Sequence, residues 1–522
     1  MRPVAFNVDH LVNTNSTPSQ EQRNNLQNLI LQLDEAILNT DEDISSINKQ
    51  ILALQTKRTQ LVQQRKYYSS LLSPVRCLPI EIFGKIFVYA TRDRPRHVSN
   101  LIAVCQLWRD AALCTPVLWS TLELGHHSTR PNMENYIDLW IERANPYPLS
   151  LAIKKQGDFL DPVSSVVDLI TEYQWKSITL DSGHTSILSI LKKLKFSNLE
   201  MLESFSLKLR LYDVSYTKLS LGLLDTLRYA PKLKTLSFHI INAVAFDTLP
   251  FPWKQLTSLT ITLWNQNNNN IGVDILQACV NLEEFIINGN CDGQGSNSSI
   301  TLNYLQKLHT HCLHSKFLLS LNTPSIQDLA VKSSVFKYLS FDNGVYDYIK
   351  KNGSTLLKLS IAPSHQKLVE SIPNLRSLVE LKLYDNNYDD DGSIMMYEIL
   401  SSLVVNRDPE TDPSTIPLPR LEALDIICQA TEENQRMFMK VIKSRWWSDE
   451  EENARQKQGQ RSLSRIKRSV LLNVHTELNV FCRDDVDVLR AQGMSIEYLA
   501  LFDGMEKDDF YTSRYYKYPP LL

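Results

Sequence analysis

Between residues 26 and 72 the apolar positions step by alternating fours and threes. The seam runs Leu26, Ile30, Leu33, Ile37, Thr40, Ile44, Ile47, Ile51, Leu54, Arg58, Leu61, Arg65, Tyr68, Leu72. Eleven of these fourteen positions are apolar or tyrosine, the exceptions being Thr40, Arg58 and Arg65. A sustained 3.5-residue period keeps one helix face against a partner, so the pattern predicts a long helix or coiled coil over 23–72. A homodimer through 26–72 and a helix laid on the chain's own body both satisfy it. The acidic run Asp41-Glu42-Asp43 offers a place for a break into a hairpin. Residues 1–22 are polar without periodicity and read as disordered.

Ser73-Pro74 ends the helix, because proline disfavours helical geometry in the residue before it. Residues 73–125 then predict three short helices. The first starts at Pro79 with Ile82, Ile86 and Phe87 on one face. A second carries Leu101, Val104, Cys105, Trp108 and Ala112 at helical offsets, and a third is opened by Thr115-Pro116 and runs through Leu118 and Trp119. Residues 132–143 also read as helix, and Leu149-Ser150-Leu151-Ala152-Ile153 alternates as a strand.

Beyond that point a motif recurs, apolar-x-x-apolar-x-apolar. It occurs as Trp175/Ile178/Leu180, Leu202/Phe205/Leu207, Leu233/Leu236/Phe238, Leu256/Leu259/Ile261 and Leu282/Phe285/Ile287. It continues as Ile326/Leu329/Val331, Leu356/Leu359/Ile361, Leu378/Leu381/Leu383, Leu421/Leu424/Ile426 and Ile496/Leu499/Leu501. Many successive copies lie 20 to 31 residues apart, the period of leucine-rich repeats with one strand and one return each. The fold class expected is therefore α/β: a long N-terminal helix, a three-helix module, and an irregular leucine-rich-repeat-like solenoid of strand–helix units over 126–522. Loops are expected near 264–270, 288–299, 406–419 and 448–468, the last read as a solvated helix or loop whose basic end is Arg461, Arg465, Lys467 and Arg468.

Composition narrows the function. Among 522 residues 43% are hydrophobic, and 55 basic against 58 acidic residues leave a charge of −3, which predicts no bulk attraction to nucleic acid or an anionic membrane. Eight scattered cysteines without a Cys-x-x-Cys pair argue against a disulfide framework and a zinc module. With no long apolar window and no leader pattern, the chain is expected in the cytoplasm, the nucleus or both.

The stretch Leu72–Gly125 resembles an F-box, in the version widespread in mushroom-forming fungi. The carrying residues are Leu71-Leu72-Ser73-Pro74-Val75-Arg76, Leu78-Pro79-Ile80-Glu81-Ile82 and Ile86-Phe87. They resume at Val98-Ser99-Asn100-Leu101 and Val104-Cys105-Gln106-Leu107-Trp108-Arg109-Asp110, and end at Thr115-Pro116-Val117-Leu118-Trp119-Ser120. Ile80 stands where a second proline is frequent in that family, and Cys77 where a basic residue is common. The resemblance implies the substrate-recognition subunit of a Skp–cullin–F-box ubiquitin ligase. Its box would bind the Skp-type adaptor, and through it a cullin–RING ligase, while the repeats hold an unknown protein substrate. Leu78, Pro79, Ile82, Ile86, Leu101, Val104, Trp108, Leu118 and Trp119 would then divide between the box's own core and the adaptor contact. The alternative is a dimeric leucine-rich-repeat scaffold without a ligase role.

No catalytic residue, cofactor or metal is expected: phosphate-loop, zincin, nucleophile-elbow and dinucleotide patterns are missing. Asn387, Asp389, Asp391, Gly392 and Glu398 approximate a calcium loop, but Met395 brings no oxygen ligand and a strand pattern precedes them. His309, His311, Cys312 and His314 suit zinc by type, yet alternate between two faces of a strand. Both clusters are read as ordinary repeat residues.

Overall fold

The structure, a computed structural model, describes residues 17–92, 95–124, 133–155, 173–182, 199–209, 225–240, 251–263, 273–288, 299–310, 315–331, 343–361, 367–384, 390–406, 415–428, 431–457, 463–473 and 480–500. It divides into two compact units, Met1–Ile86 and Phe87–Leu522.

In the first unit a single helix spans Gln20–Leu71. A reciprocal cap starts it: the Ser19 hydroxyl accepts from the Gln22 amide at 3.3 Å, and the Gln22 side chain accepts from the Ser19 amide at 2.8 Å. The helix thus begins inside the segment expected to be disordered, and residues 1–16 lie outside the described ones. The acidic run does not break it. Thr40, Thr56 and Thr59 each donate their hydroxyl to the carbonyl four residues back, which satisfies a group that otherwise competes with the helix. None of its 52 residues is buried. After Pro74 a 3-10 turn leads into the helix Ile80–Thr91, where Phe83 and Gly84 are buried.

The second unit begins within that helix. Helices Val98–Ile102 and Gln106–Leu113 and a 3-10 turn Pro116–Trp119 follow. Thr115 donates its hydroxyl to the Ala111 carbonyl at 2.7 Å, and Pro116 opens the next turn. The chain then enters a strand at once, Thr121–Leu124, so the end of the expected three-helix module already belongs to the sheet.

That sheet has fourteen strands, all parallel, added in chain order from Thr121–Leu124 to Ser495–Ala500. Its terminal strands do not pair with each other, so it is open and not a barrel. Among the described residues only Ile300–Thr301 and Leu321–Asn322 pair apart, as a separate two-stranded ribbon. In the copies before the last, the final two apolar positions of the motif point inward and stack: Leu180, Leu207, Phe238, Ile261 and Ile287 are in register and fully buried, as are Val331, Ile361 and Leu383 further on. Each such side chain contributes roughly 2 kcal/mol by leaving water. Just before the strands a backbone chain extends the ladder, Glu203 N–H to Lys176 O, Lys234 to Glu203, Thr257 to Lys234 and Glu283 to Thr257, all at 2.8–2.9 Å.

Register corrects the repeat reading in two ways. Strands Lys307–Thr310 and Arg468–Asn473 belong to the series but escape the motif, because Thr310 and Ser469 occupy inward positions. Both are buried, and Ser469 donates its hydroxyl to the Leu424 carbonyl of the neighbouring strand. The last copy is also displaced: Ile496 aligns with Ser469 and Leu424, and Tyr498 with Leu471, so the motif there is Gly493/Ile496/Tyr498 instead of Ile496/Leu499/Leu501. Of the expected loops, most of 264–270, 288–299 and 406–419 lies outside the described residues. The segment 448–468 is not simply solvated. Asp449–Lys457 is helical, and the Arg465 guanidinium donates to the Trp447 carbonyl at 3.0 Å and sits 5.1 Å over the Trp446 ring.

Candidate functional site

Surfaces for recognition lie in each unit: residues 75–86 in the first, and residues 87–113 and the outward face of the sheet in the second. In the first unit Leu78 is half-buried and Pro79 exposed, at the entry to the helix Ile80–Thr91. On that helix Ile82 and Ile86 are exposed, Ile86 by 46%. In the second unit Leu101 and Trp108 are half-buried and Val104 is 59% exposed.

Leu118 and Trp119, by contrast, are interior. The Trp119 indole N–H donates to the Ala112 carbonyl at 2.9 Å, its ring meets Trp140 edge-on at 4.8 Å, and the Arg143 guanidinium lies 4.5 Å above it. Trp119 thus ties the short helix Gln106–Leu113 to the helix Met133–Ala144. Trp108 is a mixed case, since its ring packs 5.0 Å from Phe87 while part of it reaches solvent. Sequence reasoning passed over Val75, Tyr89, Leu107 and Leu113, all exposed in the same stretch.

The outward face of the sheet is ordered by two columns that register alone reveals. The first reads Ser150, Ser177, Ser204, Thr235, Ser258, then Glu284, Lys307, Asp328, Lys358, Glu380. The second reads Thr179, Ser206, Ser237, Thr260, then Ile286, His309, Ala330, Ser360, Lys382, Asp425. In these two columns the first half is neutral and hydroxyl-bearing, while a third on the same face carries Lys154, Asp181 and Lys208, with Asp181 on Lys208 at 4.0 Å and Lys154 on Glu123 at 3.2 Å. Among the described residues the hydroxyls of Ser177, Thr179, Ser204, Ser206, Thr235, Ser237 and Thr260 have no protein partner, and each residue is half-buried. The band presents both donors and acceptors to whatever covers it.

The second half alternates in sign and largely neutralises itself. Lys307 meets Glu284 at 2.5 Å, His309 meets Asp328 at 3.1 Å, and Lys358 and Lys382 both reach Glu380, at 3.2 and 3.1 Å. Arg468 closes the series on Asp425 at 2.9 Å and Glu380 at 3.3 Å. Burial pushes the Glu380 carboxyl up, but Lys382 and Lys358 outweigh it and hold it below the usual range. Burial likewise raises Asp328, and the His309 hydrogen bond with Lys307 and Lys358 reverses the sign. For Asp425 burial wins over Arg468 and Lys382, and its carboxyl is raised.

Neither candidate metal cluster assembles from described residues. His309 is buried with its Nε2 on Asp328, while His311, Cys312 and His314 lie outside the described residues. Asn387 and Asp389 also lie outside them, and from Asp390 to Leu403 the candidate calcium loop is continuous helix. No helix among the described residues is long and apolar enough to cross a membrane. No family model matches the chain, and no curated protein matches it.

Proposed function

We propose that the chain is the substrate-recognition subunit of a Skp–cullin–F-box ubiquitin ligase, with an F-box-like stretch that engages the Skp-type adaptor and a leucine-rich-repeat-like body that holds a target protein. It is a binding protein that performs no chemistry of its own. The observation that carries the reading is the exposure of apolar side chains along residues 75–113, including Pro79, Ile82, Ile86 and Val104, in segments that bear the F-box-like pattern. Isolated exposed apolar groups are ordinary, whereas a run of them on short helices suits docking to another polypeptide.

Leu118 and Trp119 take the interior share of the predicted residues, and the contact share falls to Leu78, Pro79, Ile82, Ile86, Leu101, Val104 and Trp108. The sheet's outward face supports the second half of the proposal: unpartnered hydroxyls at one end and self-neutralised charge at the other favour a neutral, hydrogen-bonding target surface over nucleic acid.

Co-purification with the Skp-type adaptor tests it. Wild-type chain should retain the adaptor, and Ile82→Asp or Val104→Asp should weaken retention by about thirtyfold, the equivalent of roughly 2 kcal/mol for an apolar anchor. Both side chains are exposed, so the fold should survive, as circular dichroism would record. If the wild-type chain retains no adaptor, the proposal fails.

A further inference from the structure

The seam of the long helix is complete, continuous and uncovered. Ile37, Ile44, Leu54 and Tyr68 are each more than half exposed, at 58%, 51%, 66% and 62%. Eleven such side chains per copy, at roughly 60 Å² each, would remove on the order of 1,300 Å² on pairing. That falls inside the ~1,200–2,000 Å² range of stable interfaces.

Charge along the helix sets the orientation. Residues 20–45 hold six carboxylates and one arginine, net −5, while residues 46–71 hold five cations and no carboxylate, net +5. Among the described residues Asp34, Asp41, Arg58 and Arg65 have no ion-pair partner within the chain. A parallel, in-register pair would press Arg58 on Arg58 and Arg65 on Arg65 inside the seam and would stack the acidic halves together. An antiparallel pair sets each acidic half on a basic one.

We infer that the helix Gln20–Leu71 is an antiparallel dimerisation element whose partner is a second copy of this chain. The seam is symmetric about Lys49, so reversal brings every layer into register. Leu26 faces Leu72, Ile30 faces Tyr68, Ile37 faces Leu61, Ile44 faces Leu54 and Ile47 faces Ile51. The polar positions are accommodated in the same register. Arg58 meets Thr40 with Asp41 beside it, and Arg65 meets Leu33 with Asp34 beside it. Thr40 donates its hydroxyl to the Ala36 carbonyl at 2.8 Å, which leaves its oxygen as an acceptor for Arg58. The inference does not depend on the adaptor reading, because the seam lies outside residues 75–113.

Sedimentation equilibrium of the full chain, with a cross-link from Tyr68→benzoylphenylalanine, tests it. The chain should dimerise at micromolar concentration, and raising salt should weaken the dimer by about tenfold as the opposed charges are screened. The double variant Ile44→Asp, Ile51→Asp should weaken it by more than about a hundredfold. The photoproduct should map to residues around Ile30 of another copy, which within one helix lie about 57 Å from Tyr68 and out of reach. A monomer at every concentration, a dimer untouched by the double variant, or a cross-link to residues around Tyr68 itself would each overturn the inference. Loss of adaptor binding would leave it standing.

Discussion

Arg445 is the last residue of the helix Glu432–Arg445 and is fully buried. No carboxylate among the described residues pairs with it. Its guanidinium instead donates to three backbone carbonyls: Nε to Leu403 and Nη1 to Leu418, each at 3.0 Å, and Nη2 to Pro417 at 2.5 Å. Leu418 sits at φ 42°, a left-handed conformation that costs a leucine roughly 1–2 kcal/mol, so the clamp holds a strained turn between two repeats. Burial lowers the guanidinium pKa to about 10, a desolvation cost on the order of 3 kcal/mol. Against this stand three charge-assisted hydrogen bonds at roughly 1.5–3 kcal/mol each.

Replacing Arg445 by methionine keeps the apolar stem, removes the desolvation cost, and takes a donor from three carbonyls, of which only that of Leu418 keeps another, the Leu421 amide at 3.1 Å. The difference predicts a net loss of about 3 kcal/mol. Arg445→Lys should do no better, since an ammonium cannot span three carbonyls in a fork. Hydrogen exchange over residues 415–428 and 432–445 should accelerate roughly a hundredfold in Arg445→Met, with little change before residue 300, because parallel repeats communicate mainly with their neighbours. If Arg445→Met exchanges like wild type, desolvation rather than hydrogen bonding dominates at this site and the reasoning is wrong.

Two further outcomes follow from the same strands. A Cβ on Gly353 would sit 2.7 Å from the Asn374 carbonyl oxygen, backbone of the next return, so Gly353→Ala should cost about 2 kcal/mol in urea titration; an unchanged midpoint would contradict this. Glu380 and Asp425 should respond oppositely to neutralisation. The folded pKa of Glu380 lies below its ordinary 4.5, so its stabilisation is full above that value and is lost as pH falls through the depressed one. The folded pKa of Asp425 lies above its ordinary 3.8, so ionisation there opposes folding, and the opposition fades as pH drops through the raised value. Glu380→Gln should therefore lower stability at pH 7 and lose its effect in acid, whereas Asp425→Asn should raise stability slightly at pH 7. Thermal melts at both pH values distinguish the signs.

The helix and the sheet were readable because their periods repeat long enough to outweigh local exceptions. Fourteen seam positions tolerate Thr40, Arg58 and Arg65, and ten motif copies tolerate uneven spacing. A single copy has no such redundancy: one inward Thr310 or Ser469 hid a whole strand. At the last copy Ile496, Leu499 and Leu501 fit the same template in a second phase, and only pairing with Arg468–Asn473 fixes the true one. The outward columns were unreadable for a different reason. Their members stand one per repeat, 21 to 43 residues apart, and become neighbours only once the register is known. Arg445 was equally hidden, since a basic residue at the end of a helix ordinarily answers the helix dipole.

A sheet whose strands follow chain order has one free parameter, its number of copies. Removing or duplicating a whole unit between equivalent register positions would shorten or lengthen the outward face without repacking any other layer. The hydroxyl-bearing stretch and the charge-bearing stretch could then diverge separately, each fitted to its own portion of a long target while the other stays fixed.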